Sequence, residues 1–130
     1  MPFKCVIVNP EQQMLDESVE QVILPAHDGL VGILENRAPL LVKLGIGPLR
    51  VDLAGRKSRY FAVDGGVAQM KDNSLTVITE SAIASGDINA ESARAEYAEA
   101  EARQPTDAKT AETRQRQMKH AKVKQDLAGK

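Results

Sequence analysis

QVILPAHDGLVGILENRAPLLVKLGIGPLRV, residues 21–51, decides the fold. Short aliphatic runs alternate with Gly and Pro at intervals too short for a helix, so the stretch reads as strand, turn, strand, turn, strand. Pro25 closes the run Val22-Ile23-Leu24, because a central strand cannot spare a backbone donor. Gly29 and Gly32 make residues 29–32 a tight bend around Leu30 and Val31. The polar tip Glu35-Asn36-Arg37 then leads through Ala38-Pro39 into a second run, Leu40-Leu41-Val42, which Gly45 and Gly47-Pro48 end.

Strand signals recur on both sides of this stretch. Residues 3–8 are rich in β-branched and aromatic types. Leu49, Val51 and Leu53 alternate with Arg50 and Asp52, and residues 60–63, 67–70 and 75–78 follow. Ala54-Gly55-Arg56, Asp64-Gly65-Gly66 and Lys71-Asp72-Asn73 separate them as turns. Eight of the nine Gly and five of the six Pro precede residue 87, and none of residues 87–128 is Gly. Beyond that point Ala, Glu, Gln, Arg and Lys dominate, all strong helix formers. Asn89 is placed to cap a first helix running to about Arg103. Gln104-Pro105 breaks it, and Thr106 or Asp107 caps a second. The expected architecture is α+β by content: an N-terminal antiparallel β-sandwich or flattened barrel over residues 1–86, then an antiparallel two-helix hairpin over 87–130.

Composition narrows the function classes. The 130 residues carry a formal net charge of −1, which gives no case for wholesale nucleic-acid binding, and four aromatics without Trp offer few stacking platforms. The lone Cys5 excludes an intrachain disulfide and, among apolar neighbours, reads as a buried structural thiol. No apolar run approaches the roughly 18 residues of a membrane span, and the N-terminus lacks a signal-peptide core, so a soluble chain is expected. A role at a membrane would then require a protein partner.

Catalytic chemistry finds no constellation. His27 and His120 lie on opposite sides of the composition boundary, and His27-Asp28 with Glu35 sit in a turn region where such residues ordinarily punctuate the chain. Gly29-x-x-Gly32 lacks the Lys-Ser/Thr of a phosphate loop and any following helix. No catalytic residue, cofactor or metal is therefore assigned.

The tail is polarised. Residues 87–104 hold five acidic side chains against two arginines, net −3, and residues 105–130 hold seven basic against three acidic, net +4. Arg114, Arg116, Lys119, Lys122 and Lys124 form the basic cluster. Ala108, Ala111, Met118, Ala121 and Ala128 supply a thin apolar seam toward the first helix, so the second is expected to be weakly held.

Several motifs together carry a family resemblance. Pro25, Gly29, Gly32-Ile33, Asn36, Ala38-Pro39-Leu40-Leu41, Leu44, Gly47 and Arg50 stand in order. Around them are Pro10-Glu11-Gln12-Gln13-Met14, Ala62-Val63-Asp64-Gly65-Gly66-Val67 and Ser85-Gly86-Asp87-Ile88. Over nearly its whole length the chain resembles the epsilon subunits of the rotary F-type ATP synthase. The resemblance implies a non-catalytic central-stalk subunit of a proton-translocating enzyme, peripheral at the cytoplasmic face of the cell membrane. Its partners would be the gamma subunit, the ring of c subunits and the alpha/beta catalytic head, with Asp28, Leu30 and Arg37 facing gamma and the ring. The helical hairpin would restrain ATP hydrolysis, its basic helix docking on acidic segments of the head. Leu30 and Arg37 depart from the acidic residue and the His that the family often carries there. Ile88, Asn89, Ser92 and Ala93 stand where some members bind ATP through Ile-Asp-x-x-Arg-Ala. With amide for acid and Ser for Arg, the ATP site is not carried over, and Asn89 reads as a helix cap. The competing reading is a free-standing β-sandwich that binds a ligand and uses the helices for oligomerisation, against which the scarcity of aromatics counts.

Overall fold

The computed structural model describes residues 2–34, 38–55 and 57–128. Among them, strands β1 (Phe3–Val8), β2 (Gln13–Ala26), β3 (Gly29–Leu34), β4 (Leu40–Leu53), β5 (Lys57–Lys71), β6 (Ser74–Ile78) and β7 (Ala82–Ala84) precede helices α1 (Ala90–Ala102) and α2 (Ala108–Leu127). The sheet order is β1-β6-β5-β4-β2-β3, and β1 also pairs with β2, so the path closes on itself as a flattened barrel. β7 pairs with Phe61–Val63 of β5, on the same edge that β6 uses at Val67–Lys71. This is the sandwich followed by two helices that the sequence predicts.

Three strands are longer than the sequence suggests. β2 begins at Gln13 rather than near Val22. Its register against β4 slips between Val19 and Gln21, and this bulge changes which residues face inward, from Leu15 and Val19 to Val22 and Leu24. Glu20 at the bulge hides the alternation. Pro25 lies inside β2, because the β2–β4 ladder is interrupted between Ile23 and Ala26, where a missing backbone donor costs little. The turn falls at His27 and Asp28, while residues 29–32 are strand rather than bend.

β4 and β5 likewise run through the glycines expected to end them. The register pairs Leu44 with Gly66 and Ile46 with Asp64, which leaves Gly45 level with Gly65, and both strands turn a corner there without leaving the ladder. Gly65 and Gly66 have φ of 74° and 118°, open to glycine and rare for other residues. A Cβ on Gly66 would collide with the Ile78 carbonyl, and one on Gly47 would lie 2.6 Å from Pro25 Cβ. The buried Thr79 hydroxyl donates to the Gly65 carbonyl at 2.7 Å and accepts from the Ser81 N–H at 3.3 Å, so it pins the corner to the following loop.

Inside lie Ile7, Leu24, Ile33, Leu49, Phe61 and Met70, all fully buried. Each such side chain contributes roughly 1.5–3 kcal/mol by leaving water. Cys5 is buried among them, and burial pushes its thiol up to about 12, as expected of an inert structural cysteine. Asn9 closes the β1–β2 turn by accepting from the backbone N–H groups of Glu11 and Gln12.

Gly66→Ala should cost more than about 3 kcal/mol in urea unfolding, since it adds a carbonyl clash to a disfavoured φ. Gly55→Ala, with φ 87° and open space around it, should lose only about 1–2 kcal/mol.

Candidate partner-binding surfaces

Two parts of the sandwich present large apolar side chains to water. On the edge strand β3, Leu30 is 65% exposed and Leu34 58%. On β4, β5 and β6, Leu41, Val67 and Ile78 are exposed, with Val67 directly opposite Ile78 and Lys43 beside it. Contiguous exposed aliphatics on a small domain mark a contact surface. The first patch continues into a cleft of about 230 Å³ lined by Ile23, Leu30, Pro48, Tyr60, Val123 and Leu127. At its edge Arg50 stacks 6.0 Å above the Tyr60 ring and pairs with Asp52 at 2.9 Å. Burial raises the Asp52 carboxyl, but hydrogen bonds from Ser58 and Arg50 and the Arg50 charge outweigh it and hold the group below its usual range.

Asp28 is at the exposed β2–β3 turn and Leu30 is two residues on, facing outward. Arg37, with the rest of the tip 35–37, lies outside the described residues. His27 is exposed at the same turn and His120 is on α2, so the two histidines share no site.

Both helices start as the sequence predicts. Asn89 Oδ1 accepts from the Ser92 backbone N–H at 3.0 Å, which commits the Asn89 side chain to helix capping. Asp107 accepts from the Thr110 N–H at 2.8 Å while Thr110 Oγ1 accepts from the Asp107 N–H at 3.0 Å, a reciprocal capping box. The Thr110 N–H and hydroxyl hold the Asp107 carboxyl below the usual carboxylate range.

The seam of α2 differs from expectation. Ala108 is exposed, and Ala121 is buried together with Val123 and Leu127. Val123 and Leu127 fall on a second stripe, which packs on Ala62, Ile46, Tyr60 and Ile88 of the sandwich and its exit. A single-partner seam misses this stripe because α2 has two neighbours, α1 and the sheet. The basic cluster is divided between them too. Arg114 donates to the Glu101 carbonyl near the end of α1, Arg116 pairs with Asp64 of β5 at 3.6 Å, and Lys124 pairs with Glu96 of α1 at 3.0 Å. Lys122 pairs with Asp126 in its own helix, and Lys119 has no ion-pair partner among the described residues.

Comparison with known proteins agrees with this layout. Residues 2–85 match the family model described as ATP synthase, Delta/Epsilon chain, beta-sandwich domain. The ATP synthase epsilon chain of Leptospira interrogans is 37% identical over 107 residues, covering 82% of this chain and 84% of that one. That of Synechocystis is 40% identical over 95 residues, covering 73% and 69%. A chain in the Euglena gracilis mitochondrial ATP synthase, solved with OSCP, F1 and c-ring, superposes with a TM-score of 0.85 at 20% identity, covering 94% of this chain and 78% of that one. At that identity the superposition speaks for the fold.

Leu127→Ala should free the end of α2 from the sandwich. The expected loss is about 2 kcal/mol of local stability, seen as faster amide exchange across residues 120–127, with exchange in the β4–β5 ladder unchanged. Equal acceleration in the ladder would mean that α2 is part of the sandwich's own folding unit.

Proposed function

The chain belongs to the delta/epsilon-chain family of ATP synthase, and on that premise we propose that it is a non-catalytic central-stalk subunit of a proton-translocating F-type enzyme. It links rotation of the c ring and the gamma subunit to ATP synthesis in the alpha/beta head. The observation that carries this reading is the pair of exposed aliphatic patches, Leu30 with Leu34 and Leu41 with Val67 and Ile78, on the sandwich matched by the family. Leaving them in water forgoes the burial that a partner would provide. In this proposal the subunit is held at the cytoplasmic face of the cell membrane by its protein partners; no helix among the described residues is long and apolar enough to cross a membrane.

In this reading Asp28, Leu30 and Arg37 meet gamma and the c ring. Residues 1–86 are the domain that makes those contacts, and 87–130 form a separable hairpin. Arg114, Arg116, Lys119, Lys122 and Lys124 form the regulatory surface of α2. The ion pairs that tie α2 down lie at the surface, although the Lys124 side chain is only 15% exposed, and a surface pair is worth about 0–1 kcal/mol. An acidic surface on the catalytic head can compete for the same cations, against the packing of Val123 and Leu127 on the sandwich.

Co-purification from detergent-solubilised membranes tests the assembly. The wild-type chain should come down with the ATP synthase, whereas Leu30→Glu or Arg37→Glu should lower its yield and change its own stability by less than about 1 kcal/mol. A chain recovered free of the enzyme would favour the ligand-binding alternative.

Deleting residues 105–130 should leave the sandwich folded and raise ATP hydrolysis by the assembled enzyme. The difference from the full-length subunit should narrow as salt is added. Equal rates at every salt concentration would restrict the hairpin to a structural role.

A further inference from the structure

His120 sits where three elements meet. On its own helix it is one turn from both Arg116 and Lys124, so the three side chains share a face of α2. Arg116 reaches Asp64 on β5 and Lys124 reaches Glu96 on α1, which places the imidazole between the ion pairs that fasten α2 to its two neighbours. Glu96, Glu99, Arg103 and Gln117 line the cleft of about 210 Å³ into which it faces. Its Nε2 is buried and has no hydrogen-bond partner among the described residues.

We propose that His120 is a protonation-sensitive latch: neutral, it lets α2 lie against α1 and the sandwich, and on taking up a proton it loosens both contacts. The acceptors around it are engaged. Asp64 is paired with Arg116, Glu96 with Lys124 and Glu99 with Arg103, and Gln117 Oε1 accepts from Arg103 at 2.8 Å. A neutral imidazole leaves one ring nitrogen unpartnered, at a modest cost. An imidazolium leaves a charged N–H there and adds a third cation to the face shared with Arg116 and Lys124.

The electrostatic balance agrees in sign. Burial is the largest influence and pushes His120 below the usual imidazole value, the Lys124 charge adds to it, and Asp64 and Glu96 offset it only in part. On a released α2 the ring is solvated and regains its ordinary proton affinity. The released form therefore binds the proton more tightly, so the docked form is fully favoured above about pH 6.5 and loses ground as pH falls through that value toward the lowered one. The latch is a property of the isolated chain. Only its consequence for hydrolysis rests on the function proposed above.

The test uses the full-length chain carrying spin labels at Lys71→Cys on β5 and Glu112→Cys on α2, with the buried Cys5 left in place. Between pH 8 and pH 5.5 the ratio of the populations at the docked and released distances should fall by about twofold or more, and the same pair of labels with His120→Gln should show no such fall. A pH-independent ratio in the parent, or the same fall in His120→Gln, overturns the proposal. Proton NMR of the unsubstituted chain supplies a second readout that does not depend on a variant folding. The His120 ring should titrate at lower pH than the same ring in a peptide of residues 105–130, and titration at or above the peptide's value would also overturn the latch.

Discussion

The β4–β5 ladder has to stay hydrogen-bonded while it turns a corner, and the rest of the molecule depends on that. The barrel closes only if these two strands serve both halves of the sandwich, so they bend instead of stopping. Gly45 and Gly65 stand level at the bend, and Gly66 lies so close to the Ile78 carbonyl that no side chain fits. Gly47 lets Pro25 of β2 approach the same corner from the other side. Thr79, buried beside it, satisfies a carbonyl that the bend directs inward. Beyond the bend β4 and β5 carry Ile46, Tyr60 and Ala62, the platform on which α2 rests.

The hairpin is held by two kinds of force with different reach. The deepest apolar burial on α2 is in its last turns, where Val123 and Leu127 pack on the sandwich and Ala121 is buried beside them. The rest of the helix is fastened by polar links to α1 and β5; the Arg116 side chain is open to water and salt, whereas that of Lys124 is only 15% exposed. An anionic partner competes with the polar links, while displacing the aliphatic end requires an apolar substitute or a change in charge nearby. The five basic residues are thus unequal. Arg114, Arg116 and Lys124 each give up an existing contact when α2 leaves, and Lys119 gives up none among the described residues.

Much of this was legible in the sequence, and the misreadings share a cause. The helix caps at Asn89 and Asp107, the break at Pro105, the change of character after Gly86 and the buried state of Cys5 depend on neighbours in sequence, and they were readable from local chemistry. Pro25, Gly45, Gly47 and Gly65 have meanings set by strands far away in the chain. A local reading assigns them to turns, whereas tertiary pairing makes them bends and a bulge in continuous strands. The strand over residues 13–21 was missed because the bulge at Glu20 shifts the inward phase between Val19 and Val22. The exposed leucines at 34 and 41 look like core until the register shows which way each one points. On α2, a single seam toward α1 leaves out Val123 and Leu127, because the helix packs on the sandwich as well.

The capping box at the start of α2 settles what kind of object the helix is. Asp107 and Thr110 close its first turn with their own side chains and borrow nothing from α1 or the sandwich. Separation from its neighbours therefore does not require unwinding from that end. Its 20 residues make a rod about 30 Å long, pivoting on the short connection through Pro105. A swing about that pivot would carry the far tip, with Leu127, through an arc set by that length. Such a part acts as a lever arm whose reach is fixed by its length.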